Sequence, residues 1–163
     1  SENNAVYREL RKQVKVPIAV GEQHSTRWDI NELIEQHLID YNRVSIPNCG
    51  GITEYVKLAA MSETHYVGLT PHFTGPVSEA ALAHVCTAFS GPVMMEIAGV
   101  YKVDKIDYLP KSFDFRDGKI WPNERPGLGV EFDATKLPLK AEFTKSSKPI
   151  KIFHRADGSF TNW

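Results

Sequence analysis

The sequence predicts an α/β fold built on parallel strands, and three observations predict it. Short apolar runs recur up to residue 97, and three of them end abruptly at a glutamate or a histidine. Between the runs lie stretches with apolar residues at helical spacing. The spacing of strand then helix is roughly 25 residues, the rhythm of βα units whose crossovers are right-handed.

The run Pro17-Ile18-Ala19-Val20-Gly21-Glu22 organises the rest. It reads as a strand buried on both faces with an acid at its C-terminal tip. In parallel α/β folds the C-terminal ends of strands are where chemistry sits. The pattern repeats: Tyr66-Val67-Gly68-Leu69-Thr70-Pro71 leads into His72, and Pro92-Val93-Met94-Met95 leads into Glu96.

Taken in order, residues 1–14 read as a helix with Val6, Leu10 and Val14 on its packing face. The first strand covers 16–20. Asp29 then stands three residues before Glu32, the spacing of a capping box with Asp29 as the cap. Ile30, Leu33, Ile34 and Leu38 form the buried stripe of that helix. A second strand covers 41–46, broken by Pro47 and by Gly50-Gly51, which reads as a tight turn. The next helix covers 52–64, with Ile52, Val56, Ala59 and Ala60 as its apolar face. A third strand covers 66–70. Pro76 suits the first turn of a helix that packs through Val77, Ala80, Ala81, Val85 and Ala88. A fourth strand covers 93–97.

After Ala98 the rhythm stops. Residues 99–163 are rich in Pro, Gly, Asp and Lys and read as an extended arm of β character, set apart from a domain at 1–98. Hairpin turns are expected at Asp117-Gly118 and Asp157-Gly158, with the turn-rich run Pro126-Gly127-Leu128-Gly129-Val130 between them.

Composition narrows the function classes. The chain has 163 residues, 42% hydrophobic and 24% charged, with a net charge of −1. That is a soluble globular domain with room for a sizeable core. No basic stripe favours nucleic acid or an anionic membrane, and no apolar run approaches the ~20 residues of a membrane helix. Cys49 and Cys86 lack metal spacing and read as free thiols in a reduced, cytoplasmic setting. The start at Ser1, without a methionine, reads as a cut, a tag scar or an expression boundary.

Read as residues alone, each candidate has a plain alternative. Glu22 suits a helix cap as well as a metal, and His72 suits polar surface as well as catalysis. Glu96 after two methionines is odd for a core strand, because an unpaired buried acid is costly. His24 serves a loop or faces a substrate. Arg27 and Trp28 pair near the cap or anchor the loop. His37, His65, His84 and His154 read as surface or helix-face residues.

In this order and spacing, five motifs resemble the mandelate racemase-like branch of the enolase superfamily. They are Pro-Ile-Ala-Val-Gly-Glu (17–22), Thr-Arg-Trp-Asp (26–29), Gly-Gly-Ile-Thr-Glu (50–54), Thr-Pro-His (70–72) and Gly-Pro-Val (75–77). Pro-Gly-Leu-Gly-Val-Glu (126–131) resembles that family's C-terminal return segment. The resemblance implies the C-terminal half of a (β/α)7β TIM-like barrel, four parallel βα units, with an arm that packs on a capping domain. It implies an acid-sugar dehydratase acting on galactonate, mannonate or related sugar acids. It also implies Glu22 as a Mg2+ ligand, His72 as the catalytic histidine, and Glu96 as an acid that helps stabilise the enolate.

Two departures accompany the resemblance. Many members pair the histidine with an aspartate one strand earlier; here that position is Ser45, expected with His24 to face the substrate. Without the aspartate, His72 lacks a carboxylate that favours its charged form. The other metal ligands belong to a part of the barrel that these residues do not include. The chain alone is therefore expected to be catalytically incomplete, completed by the N-terminal half of the same enzyme or by another chain, and to form homo-oligomers. The competing readings are a racemase or cycloisomerase piece of the same superfamily, and a non-catalytic α/β assembly module.

Overall fold

The computed structural model describes residues 3–97, 107–109, 114–139, 142 and 157. Four helices and three parallel strands alternate through residue 88. The helices are α1 (Asn4–Gln13), α2 (Arg27–Glu35), α3 (Ile52–Thr64) and α4 (Pro76–Ala88). The strands are β1 (Ala19–Val20), β2 (Tyr41–Asn42) and β3 (Gly68–Leu69), in the order β1-β2-β3. Ala19 faces Tyr41, and Tyr41 faces Gly68. The predicted parallel α/β organisation and strand order hold.

The regular strands are shorter than the apolar runs suggest. Hydrogen-bonded pairing survives beyond them, from Arg43 N to Val20 O at 2.8 Å and from Thr70 N to Asn42 O at 3.0 Å. The expected fourth strand is reduced to one parallel bridge, Leu69 with Val93, although Glu96 N still reaches Pro71 O at 3.3 Å.

Three helix faces correct the periodicity reading. On α1 it is Tyr7 that is buried, while Val6 and Leu10 are exposed. On α3 the inward residues are Tyr55, Leu58, Ala59 and Ser62, and Ile52, Val56 and Ala60 face out. Ser62 can sit inside because its hydroxyl donates to Leu58 O and accepts from Asn42 Nδ2. On α4, Leu82 is inside whereas Val77 and Ala88 are exposed.

The α2 cap lies one turn earlier than predicted. Thr26 is the N-cap, and Asp29 is the third helical residue of the box, its carboxylate accepting from Thr26 N at 2.9 Å. The early start places Ile30, Leu33 and Ile34 fully inside. Leu38 is buried just past the helix end, as the residue that closes it.

One carboxylate fastens α1 to the sheet. Asp40 accepts from Arg11 Nη2 at 2.5 Å and from Ile18 N at 2.7 Å. Burial raises its pKa, but the bonds from Arg11 and Ile18 outweigh that and hold the carboxyl below its usual range. The core then runs from Tyr7 and Ile18 through Leu33, Ile34, Val44 and Leu58 to Leu69 and Leu82. Each such side chain contributes about 1.5–3 kcal/mol on burial.

The hairpin expected at Asp117-Gly118 is present, joining β4 (Asp114–Arg116) to antiparallel β5 (Lys119–Trp121). Both turn residues have positive φ, 54° and 71°, as a two-residue hairpin turn requires. Leu128, in the turn-rich run, packs against the main core. The turn expected at Asp157-Gly158 falls outside the described residues, apart from Asp157 itself. Among the described residues no helix is long and apolar enough to cross a membrane.

Candidate functional site

Parallel pairing sends the C-terminal tips of β1, β2 and β3 to one end of the sheet. The residues just beyond each tip decide the chemistry there. After β1, Gly21 turns the chain with φ at 146°. A Cβ there would lie 2.6 Å from Val44 N, a backbone atom that cannot yield, so only glycine lets β1 approach the β2 segment this closely. Glu22 is next in the chain, its carbonyl accepting from Asn48 Nδ2 at 2.9 Å.

Arg43 is the residue around which the tips gather. Its Nη1 donates to Glu22 Oε2 at 2.5 Å, and its Nη2 donates to Glu96 Oε2 at 2.6 Å. A planar guanidinium can serve two carboxylates in different directions at once. The other Glu22 oxygen, Oε1, lies 3.4 Å from His72 Nε2. His72 packs against the Phe73 ring, with centroids 5.2 Å apart. Three of the predicted site residues, Glu22, His72 and Glu96, thus stand in one linked cluster.

The electrostatics derive from the contacts. The hydrogen bond from Arg43 is the largest influence on Glu22 and lowers its pKa. Burial opposes it, and the charges of His72 and Arg43 add to the lowering. Glu22 is therefore held as a carboxylate below its usual range. A partly exposed carboxylate of this kind suits a hard, oxygen-preferring cation such as Mg2+. It supplies one ligand: among the described residues no group of three or more His, Cys, Asp or Glu is placed to hold a metal.

The two residues expected to face substrate lie nearby in different surroundings. Ser45 is fully buried, and its hydroxyl has no hydrogen-bond partner among the described residues. His24 is also buried, with Nε2 3.5 Å from Asn4 Oδ1 on α1. It lines a cleft of about 180 Å³ together with Glu22, Gln23 and Arg43.

Sequence reasoning passed over Arg43. The available signal was a charge between Asn42 and Val44 inside a predicted strand, a place where a buried charge needs a partner. Acids at the neighbouring tips supply that pairing. Arg27 and Trp28, by contrast, anchor: Arg27 pairs with Glu54 of α3 at 2.6 Å and stacks 3.9 Å from the Trp28 ring. Gly50 and Gly51 form the strand-to-helix turn with φ of 94° and 111°.

Residues 1–136 match the family model described as enolase C-terminal domain-like. The whole chain aligns at 36% identity with a D-galactonate dehydratase family member of Streptomyces bingchenggensis, covering 39% of that protein. It aligns at 32% identity with a D-mannonate dehydratase of Caulobacter sp., covering 40%. Among solved structures, an enolase from Pantoea ananatis with bound D-gluconate and Mg is similar at a TM-score of 0.69 and 28% identity. That match covers 86% of this chain and 35% of the other. A mandelate racemase/muconate lactonizing enzyme-like protein from Rubrobacter xylanophilus is similar at a TM-score of 0.73 and 34% identity, covering 82% and 35%. The chain spans about two fifths of the length of the curated relatives it matches.

Proposed function

Because the chain belongs to the enolase C-terminal domain-like family, we propose that it is part of a Mg2+-dependent acid-sugar dehydratase. The observation that carries this is the linked cluster of Glu22, Arg43, Glu96 and His72 at the tips of parallel strands. Similarity to D-galactonate and D-mannonate dehydratases supports an aldonate as the substrate class.

In this reading residues 1–98 are the C-terminal half of a (β/α)7β barrel and residues 99–163 the arm that packs on a capping domain. The other half comes from the remainder of a longer polypeptide or from another chain. A closed barrel of this type runs to ~250 residues and eight strands. The isolated 163-residue chain is accordingly inactive by itself.

Each residue has an assigned part. Glu22 is one ligand of the Mg2+, with the remaining ligands supplied from the other half. When bound, the ion supplies positive charge that favours the enolate formed on removing the proton beside the substrate carboxylate. His72 moves a proton at Nε2, the atom already turned into the cluster. Glu96 is assigned to the enolate side of the site, where the guanidinium it shares with Glu22 holds it. Arg43 holds Glu22 and Glu96 in position and offsets their charge. His24 lines the cleft beside Glu22 and is assigned to the substrate, whereas the expected substrate contact of Ser45 meets a fully buried side chain outside that lining.

The test is dehydration of D-galactonate, D-mannonate and related aldonates by the intact enzyme, read as a 2-keto-3-deoxy product. Turnover that needs Mg2+ and is abolished in Glu22→Gln is expected. Product of unchanged formula, from racemisation or cycloisomerisation, would overturn the dehydratase reading. Full activity in Glu22→Gln would remove that residue from the ligand set.

A further inference from the structure

The helix ends opposite the catalytic tips carry a second group with ligand chemistry. α2 and α3 lie side by side and close in the same way. After α2, His37 N donates to Ile34 O and Leu38 N to Leu33 O. After α3, Tyr66 N donates to Glu63 O and Val67 N to Ser62 O. Each closure puts one residue in the left-handed region, where glycine is the usual occupant. Here the occupants are His37 at φ 51° and Tyr66 at φ 57°. A side chain kept at such a position is strained relative to glycine. For His37 the side chain so retained lies beside His65, the C-cap of α3, with ring centroids 6.1 Å apart and planes tilted by 55°.

The hydrogen bonds of His65 set it up as a metal ligand. Its Nδ1 is 2.9 Å from Met61 O, a carbonyl that only accepts, so Nδ1 carries the proton. Nε2 of the neutral ring is then the lone-pair nitrogen. A backbone carbonyl on one nitrogen, fixing the tautomer and the ring, is the arrangement that metal-binding histidines use. His37 is exposed and free to turn toward it, and His65 is half-buried. A metal–nitrogen bond of about 2.0–2.1 Å places a ring centroid roughly 3.2 Å from the ion. Two rings 6.1 Å apart lie within the span that one ion can bridge, and the exposed His37 ring can turn its nitrogen toward His65 to close it. The carboxyl ends of both helices, where the negative end of each dipole lies, favour a cation there.

We propose that His37 and His65 form a two-histidine site for a divalent transition metal, Cu2+, Ni2+ or Zn2+, with solvent completing the coordination. Two imidazoles select such ions over Mg2+, and affinity should follow the order in which Cu2+ exceeds Ni2+. The site is independent of the Mg2+ chemistry assigned to Glu22.

The experiment is a Cu2+ and Ni2+ titration of the intact protein by calorimetry in excess Mg2+. Ni2+-induced broadening of backbone amide signals then maps the ion. One saturable ion per chain is expected, with broadening centred on the ends of α2 and α3. His37→Asn, which the left-handed position accepts, and His65→Gln should each weaken binding at least tenfold. Both variants should leave the Mg2+-dependent activity unchanged. The proposal is overturned if the wild type shows no saturable site, if both variants bind as the wild type does, or if broadening centres elsewhere.

Discussion

Arg43→Met tests the cluster because it removes the guanidinium and keeps most of the stem. Arg43 donates to Glu22 at 2.5 Å and to Glu96 at 2.6 Å. Hydrogen bonds to charged groups are worth about 1.5–3 kcal/mol when buried. Here the arginine side chain is 24% exposed and the two carboxylates 40% and 37%, so solvent screens the pairs. About 1 kcal/mol each is the appropriate figure, or about 2 kcal/mol for the substitution. The loss should depend on pH with a definite sign. Glu22 is held below its usual range when folded, so the stability it carries is present above its unfolded value of about 4.3 and lost as pH falls through the folded value. Urea unfolding of the intact protein at pH 7 and at about pH 3 should give a gap between wild type and variant that narrows on acidification, at unchanged m. Arg43→Lys should recover only part of it, because one ammonium cannot fork to two acids. A gap below about 0.5 kcal/mol at pH 7, or one indifferent to pH, would refute the view that Arg43 holds the tips together.

Gly21→Ala would place a Cβ 2.6 Å from Val44 N at φ 146°, and should cost more than about 2 kcal/mol in thermal or urea unfolding. A near-neutral variant would show that β1 and the β2 segment are not so tightly apposed. Asp40→Asn should cost about 1 kcal/mol at pH 7, since the carboxylate receiving Arg11 and Ile18 is 41% exposed. Its pKa is lowered, so that difference should fade as acid protonates the folded wild type, and constancy down to acid pH would count against the clamp. Burial pushes the Cys86 thiol up to about 12 and raises that of Cys49. At pH 8 the Cys86 thiolate is then roughly one part in ten thousand, so a disulfide reagent should react slowly with native protein and quickly in urea. Cys86 is half-buried, and fast native labelling of it would contradict the raised pKa.

How far the sequence disclosed the fold depended on whether neighbours decide the outcome. Strand order and direction were legible because they come from alternation and chain length between runs. The bounds of α3 were legible because Gly51 and the residues after Thr64 punctuate it. Its inward face was not. The expected face of Ile52, Val56, Ala59 and Ala60 shares only Ala59 with the buried one of Tyr55, Leu58, Ala59 and Ser62, and one helix gives no reason to prefer either. The face that turns inward is the one whose Ser62 accepts from Asn42 of β2, with Tyr55 and Leu58 fully buried beside it. The α2 cap was misjudged for a related reason: Asp29 can end a helix or serve as its third residue, and Thr26 upstream settles which.

The candidate site shows the same limit at the level of chemistry. Glu22, His72 and Glu96 were legible because each interrupts an apolar run at a tip, where a polar residue must have a reason to be. Arg43 stands in a mixed segment, between Asn42 and Val44, and a cation inside a strand acquires meaning only when the acids beside it are known. Register supplies them. Arg43 N bonds to Val20 O, two residues before Glu22, and Glu96 N bonds to Pro71 O, so three tips are locked at one level. Remove that locking and the sequence holds two acids, an arginine and a histidine scattered over 75 positions of the chain, from 22 to 96. With it, one guanidinium bridges both acids and the histidine faces the nearer one. The pairing also explains why these acids can gather at all. Two carboxylates drawn together with no cation between them would repel, and one would be driven to take up a proton. Arg43 is thus what allows Glu22 to remain an anion at the tip, and an anion there is the condition for its proposed role as a ligand.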